Sequence, residues 1–334
     1  MRFGVLSFRD GRLFQWLLTR LNAGFATWDV PFAEQGQDAA AEVLGFCAHW
    51  GVALDPWVWS KPAAEYATAN EFFARSFAPP HAPEANLGGS DIVAPSTSVV
   101  SWYPTASSLP AKLKNDAWTL EGVGIPRHEA HGLRHPFGPY PTCRSAPHHP
   151  SRAVGHALRG DHADGMLIGT LRSDVVAISR LQDYLAHPAA ILYLAPADYH
   201  CFHMPVGGTV THVELLNQAM YSVTVKPYIF ANVNILTRNR RAVVVVESAA
   251  RPGLRVAIVL VGGVTVDSIR LDPAVRLGAT VTKGQRLGAF ARGGSSIALL
   301  FSRGTELVPE AAAVAASGVN FKLHAGRALA NWTT

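Results

Sequence analysis

Residues 242–266 read AVVVVESAARPGLRVAIVLVGGVTV, and this stretch decides the fold class. Four successive valines and the run RVAIVLV are β-branched and apolar, a composition that suits a packed, pleated surface. Between them Arg251-Pro252-Gly253 is a turn signal. Proline presets φ there, and glycine accepts the positive φ that a tight turn needs. Apolar runs separated by such turns predict antiparallel strands.

Working outward, Ala190–Ala195, Tyr221–Val225 and Ile297–Phe301 repeat the pattern, with Lys283-Gly284 as a further turn. Upstream, Ile92–Ala94 and Val99–Tyr103 are also strand-like, whereas residues 123–163 are rich in Gly, Pro, His and Arg and lack periodicity. That segment reads as a long surface insertion. The first seventy or so residues read differently. Leu13, Phe14, Leu17, Leu18 and Leu21 recur at helical spacing with polar residues opposite, and a second helix is predicted over Asp38–Trp50. Pro79, Pro80 and Pro83 end this region. The expected class is α+β, with N-terminal helices over 1–78 and a mainly antiparallel sheet domain over 79–334.

Composition narrows the function. At 334 residues, 49% hydrophobic and 16% charged, the chain can bury a sizeable core and is not disordered in composition. No apolar run reaches the roughly 18–20 residues of a spanning helix, and Arg9, Asp10 and Arg12 interrupt the N-terminus in a way that argues against a secretory signal. Cys47, Cys143 and Cys201 form no CxxC pair, which excludes a disulfide framework and a zinc knuckle and suits an intracellular, reducing compartment. The net charge of +5 suits an anionic membrane surface or an acidic substrate. Without a dense Lys/Arg run, nucleic acid is not an expected partner. The 13–25 helix either packs on the main domain or a homodimer mate, the favoured reading, or lies in a membrane interface beside Trp16. The expected location is cytoplasmic or peripheral to a membrane.

Three features carry chemistry. Asp198-Tyr199-His200-Cys201-Phe202-His203-Met204-Pro205 supplies two imidazoles that can exchange protons near neutral pH. Residues three apart on a strand face opposite ways, so both serve one site only if the segment bends, as Pro205 and Gly207-Gly208 permit. Arg292-Gly293-Gly294-Ser295-Ser296 places two glycines before a serine, a turn that presents a nucleophile, binds an anion or merely joins strands. His128-Glu129-Ala130-His131, with His135, is one residue short of HExxH and lies in the irregular insertion, so no metal site is expected.

Together these segments resemble the phosphatidylserine decarboxylase family. AILYLAPADYHCFHMPVGGTV is similar to its strand followed by DYHRFHxPxxGxV. VAIVLVGGVTVDSI is similar to LVGAxxVGSI, TKGQRLGAFARGGSSIALLF to KGxExGxFxxGGSTVxxLF, and Asn70–Phe77, NEFFARSF, to NEFFTRxL. The resemblance spans about residues 68–105 and 185–306. It implies a self-processing proenzyme cleaved between Gly294 and Ser295, with Ser295 becoming a covalent pyruvoyl group. It further implies His203 as the base that activates Ser295 and His200 as the group that positions or protonates the decarboxylation intermediate. One departure bears on mechanism: Asp91-Ile92-Val93-Ala94-Pro95-Ser96-Thr97-Ser98 places Thr97 where the family's PADG motif has an aspartate. Threonine cannot neutralise an imidazolium, and losing a triad carboxylate costs on the order of 10⁴ in rate. Asp91, Asp116 and Asp198 are the acids considered as spatial substitutes. Asp267 also stands where the family usually has glycine. The resemblance implies decarboxylation of phosphatidylserine to phosphatidylethanolamine at a membrane surface. The alternatives are a soluble relative acting on a free amino acid, aromatic ones included, and an unprocessed, inactive homologue.

Overall fold

The computed structural model describes residues 26–52, 59–79, 81–106, 184, 186–216, 240–262, 268–291, 295–318 and 320–333. The 13–25 helix, the 221–225 strand, the 123–163 insertion with its histidines, and Asp116 and Asp267 lie outside them.

Among the described residues, two α-helices precede the sheets. Helix α1 (Ala39–Trp50) starts where the Asp38 carboxylate accepts the Ala41 amide and ends at Gly51, whose φ of 69° closes the last turn. Helix α2 (Ala69–Phe73) is a single short helix within the NEFFARSF segment, capped by the Thr68 hydroxyl on the Glu71 amide. Glu71 reaches back to the Ala67 amide at 2.7 Å, a variant of the reciprocal capping box. Phe32, Val43, Cys47, Trp59, Tyr66 and Phe72 form their own core here. Trp59 and Tyr66 each meet the Phe72 ring edge-to-face at 5.1 Å.

The strands are β1 (Ile92–Val93), β2 (Ser98–Tyr103), β3 (Ala189–Leu194), β4 (Cys201–His203), β5 (Gly208–Leu216), β6 (Arg241–Ser248) and β7 (Arg255–Val261), followed by β8 (Ser268–Leu271), β9 (Thr280–Val281), β10 (Arg286–Ala291), β11 (Ser295–Phe301) and β12 (Thr305–Leu307). Helix α3 (Pro309–Ala315), β13 (Phe321–Leu323) and β14 (Ala328–Trp332) complete the order. They form an eight-stranded sheet ordered β13-β2-β3-β11-β7-β6-β5-β9 and two three-stranded sheets, β1-β14-β12 and β4-β10-β8. Among the described residues every strand pairing is antiparallel. The fold is therefore α+β with N-terminal helices and antiparallel sheets. Among the described residues, no helix is long and apolar enough to cross a membrane.

The unbroken valine run has a structural cause. Val244, Val246, Ile258, Leu260, Ile297 and Leu299 pack into the main core, while Val243, Val245, Val259, Ala298 and Leu300 pack into a second cluster. Successive strand residues point to opposite faces, so a sheet buried on both faces needs apolar residues at every position. Arg251–Leu254 closes as a turn, with the Leu254 amide bonded to the Arg251 carbonyl and Gly253 at φ 82°. Pro252 and Gly253 take the central positions of a type II turn.

Leu299 pairs with Ala190 on one side and Ile258 on the other and is fully buried. Leu299→Ala should cost about 2–5 kcal/mol, the usual range for a buried Leu-to-Ala change. Leu277→Ala, at a side chain 71% exposed, should stay within about 0.5 kcal/mol. Urea unfolding of both variants measures the difference.

Candidate active site

Two chain crossings bring the histidine and serine segments together. Residues 195–200 carry the chain from β3, in the eight-stranded sheet, to β4, in a three-stranded one. The sequence 292–294 joins β10, in that same three-stranded sheet, to β11, back in the large one. Both crossings share their ends: Leu194 pairs with Ser295, and the Phe290 amide donates to the His200 carbonyl at 2.9 Å. Ser295 is thus the first residue of β11, whereas Gly294 lies outside the described residues.

The 195–200 crossing is held by the carboxylate of Asp198. It accepts the Ala195 amide at 2.8 Å and forms an ion pair with Lys322 of β13. The Asp198 carbonyl accepts His200 Nδ1 at 2.9 Å and a guanidinium N–H of Arg75 at 3.2 Å, while Arg75 also donates to the Ala197 carbonyl. A carbonyl only accepts, so the proton of neutral His200 sits on Nδ1 and its lone pair on Nε2. His200 is fully buried under the Phe73 ring, 3.7 Å away, and its Nε2 has no hydrogen-bond partner among the described residues. Burial holds its pKa well below the ordinary histidine value, and the charges of Arg75 and Lys322 push the same way.

His203 ends β4 opposite Arg286 of β10. Its Nδ1 donates to the Gly284 carbonyl at 2.8 Å, and its Nε2 accepts the Tyr199 hydroxyl at 3.0 Å. That carbonyl is presented by the Thr282–Gln285 turn, where Gly284 takes φ 82°. Burial again depresses the imidazole pKa; Gly284 and Glu84 oppose the shift, and Arg286 adds to it. Tyr199 stacks on Phe77 at 4.5 Å. Burial raises its pKa well above the usual phenol value, so it stays a donor.

Thr97 is buried in the turn between β1 and β2, where its hydroxyl accepts the Ala325 amide at 3.2 Å. The partners of His203 are Tyr199 and Gly284. The Asp91 carboxylate accepts the Trp332 amide instead. Sequence reading did not assign roles to Tyr199, Gly284, Arg75 or Glu84. The first two lie inside segments already quoted for other reasons, and Arg75 lies within NEFFARSF. Glu84 carries no local signal.

The family model for phosphatidylserine decarboxylase matches residues 164–330, half of the chain. The chain belongs to the phosphatidylserine decarboxylase family. It is 37% identical over 120 residues to the phosphatidylserine decarboxylase proenzyme of Chlamydia muridarum, covering 36% of this chain and 38% of that protein. It is 27% identical over 246 residues to the proenzyme of Chlamydia trachomatis serovar D, covering 72% of this chain and 62% of that protein. Proenzyme 2 of Oryza sativa is 34% identical over 122 residues, 36% of this chain and 19% of its own length. The chain thus spans less than two thirds of the length of each of these family members.

Both histidines are buried neutral in the folded protein and free to charge in the unfolded one, near pH 6.5. Between the depressed values and about pH 6.5 the unfolded chain binds more protons. Stability is therefore full above that range and falls as pH drops through it, by at most about 1.4 kcal/mol per pH unit for each histidine. Urea midpoints between pH 7.5 and 5.5 should fall. His200→Gln, whatever its stability at pH 7.5, should show a shallower decline.

Proposed function

We propose that this chain is a self-cleaving proenzyme that decarboxylates phosphatidylserine to phosphatidylethanolamine, using a pyruvoyl group formed from Ser295. The observation that supports this most is the paired crossing, which sets the DYHCFH segment beside the start of β11. Ser295 Oγ attacks the Gly294 carbonyl carbon while His203 takes the hydroxyl proton. The Tyr199 hydroxyl occupies the His203 lone pair at 3.0 Å, so the serine proton passes through that hydroxyl or follows its displacement. The C–N bond breaks, the Ser295 nitrogen gains a proton, and an ester links Gly294 to Oγ. Loss of the Ser295 α-proton then expels the Gly294 carboxylate and leaves dehydroalanine. Its enamine shifts to an imine, which water hydrolyses to a ketone with release of ammonia.

The site's residues fit such a group: a fully buried imidazole with an unpartnered Nε2 lies one crossing away from residue 295. A pyruvoyl carbonyl supplies an electrophile for the substrate amine and an electron sink when carbon dioxide leaves. His200 Nε2 would accept the proton that the substrate ammonium must shed and return it to the substrate carbon after carbon dioxide leaves, its tautomer fixed by the Asp198 carbonyl. The apolar cover of Phe73 keeps water from that nitrogen. The net charge of +5 favours approach to an anionic bilayer carrying the lipid. One observation favours a second reading, an unprocessed homologue that serves as a binding protein: Thr97 brings no carboxylate to His203.

Denaturing mass spectrometry of purified protein should show two chains, 1–294 and 295–334, the smaller blocked by pyruvoyl. Ser295→Ala and His203→Ala should each remain one chain. His200→Ala should cleave and yet release no carbon dioxide from phosphatidylserine vesicles. Under native conditions the two chains should co-elute. An intact wild-type chain would favour the unprocessed reading, and carbon dioxide from free amino acids alone would favour the soluble amino-acid decarboxylase.

A further inference from the structure

If His203 takes a proton from Ser295, an imidazolium forms in a buried place, and the residue at the family's aspartate position cannot neutralise it. The neighbouring charged group of like sign makes this worse, because Arg286 lies opposite His203 across the β4–β10 pairing. Tyr199, hydrogen-bonded to His203 Nε2, is held neutral by burial. Lys283, beside the Gly284 turn, is bonded to the Ser90 carbonyl. Of the three acids the sequence offered as substitutes, Asp91 is bonded to the Trp332 amide, Asp198 to Lys322 and the Ala195 amide, and Asp116 lies outside the described residues.

One carboxylate does face the ring. Glu84 Oε2 stands 3.8 Å from His203 Nδ1, too far for a hydrogen bond but well placed as a countercharge. Its position is mounted firmly. Glu84 belongs to the 3-10 turn Pro83–Ala85, with Pro83 buried and the Asn86 amide bonded to the Pro83 carbonyl. Gly326 packs so closely there that a Cβ would come within 2.6 Å of the Pro83 carbonyl oxygen. Thr97 anchors the same 325–326 turn through the Ala325 amide. The threonine thus braces the turn that abuts the glutamate.

We infer that Glu84 is the countercharge of His203, supplying from another segment the negative charge that the family draws from its aspartate. This rests on the self-cleaving reading and adds the residue that makes the base work without that aspartate. An exposed ion pair supplies about 1.4- to 5-fold in rate, and with Glu84 57% exposed that is the range expected here. Orientation needs no help from Glu84, since Gly284 already fixes the tautomer.

The test uses Glu84→Gln, a surface change that keeps the shape. In the full chain, its self-cleavage should slow about 1.4- to 5-fold. Raising salt to about 1 M should slow wild type toward the variant and leave the variant unmoved, because an exposed pair is screened. In the uncleavable Ser295→Ala background, NMR titration should show the His203 pKa lower by about 0.2–0.7 of a pH unit in Glu84→Gln, the resonance being assigned with His203→Gln. Unchanged cleavage and an unchanged His203 titration would overturn the role of Glu84 while leaving the decarboxylase reading intact. Wild type that never cleaves would overturn that reading, and the NMR arm would still judge the contact.

Discussion

Strand β11 is enclosed on both edges by strands that precede it in the chain, and the site depends on that enclosure. It pairs with β3 from Ser295 to Leu300 and with β7 from Ser296 to Phe301. The segments after it are held the same way, β13 on β2 and β14 on β1. A backbone break before Ser295 would remove one covalent link and none of these ladders. Leu299 and Phe301 would still be buried in the common core. The same enclosure fixes the backbone of Ser295 while leaving it at the mouth of its strand, where the ladder with β7 has not yet begun. A reacting residue needs that combination: held in place, yet with one side open to chemistry.

The electrostatics of the site rest on two imidazoles held neutral by burial and on the charges set around them. Both imidazoles are oriented by backbone carbonyls, Asp198 for His200 and Gly284 for His203. A carbonyl fixes a tautomer without adding a buried charge, whereas an unpaired buried carboxylate would carry a large desolvation cost. Apart from the buried Arg75 and Asp198, charge near the imidazoles comes from groups that keep contact with water, such as Glu84 and Lys322. On the inference above, the two services that a single aspartate gives elsewhere, orientation and neutralisation, fall here to Gly284 and Glu84. Solvent weakens a countercharge at the rim. It also spares the folded protein a second buried ion.

How much of this the sequence carries follows from the range of each interaction. Strands appear where apolar runs and turn residues mark them. The expected Val99–Tyr103 and Ala190–Ala195 lie within a residue of β2 and β3, and Asp38 caps the helix expected over 38–50. The chain changes sheets in the crossing before β4, so His200 sits just ahead of that strand and His203 at its end, each ring bonded to a different carbonyl. The helical reading of the first seventy residues was too generous for the part described: beyond α1, residues 59–77 hold a 3-10 turn, the five-residue α2 and irregular chain. Aromatic packing around Phe72, not helix periodicity, organises them. Glu84 and Gly284 reach His203 across 119 and 81 residues of chain, and no local pattern encodes such a meeting.

The NEFFARSF segment shows why the N-terminal region belongs to the site rather than beside it. The capped helix α2 ends at Phe73, whose ring covers His200, and two residues later Arg75 reaches the Ala197 and Asp198 carbonyls. Arg75 is itself buried with no carboxylate bonded to it, and its Nε and one Nη have no partner among the described residues. A guanidinium left so incompletely paired is costly. What it accomplishes is local. It shares the Asp198 carbonyl with His200 Nδ1, which fixes the turn and with it the direction of the Nε2 lone pair. It also adds a like charge that keeps His200 neutral. The aromatic cluster behind Phe72 is what holds that cation in place, since the Arg75 guanidinium lies 5.0 Å from the Phe72 ring. Packing in the helical region thus sets the protonation state of a histidine in the sheet domain.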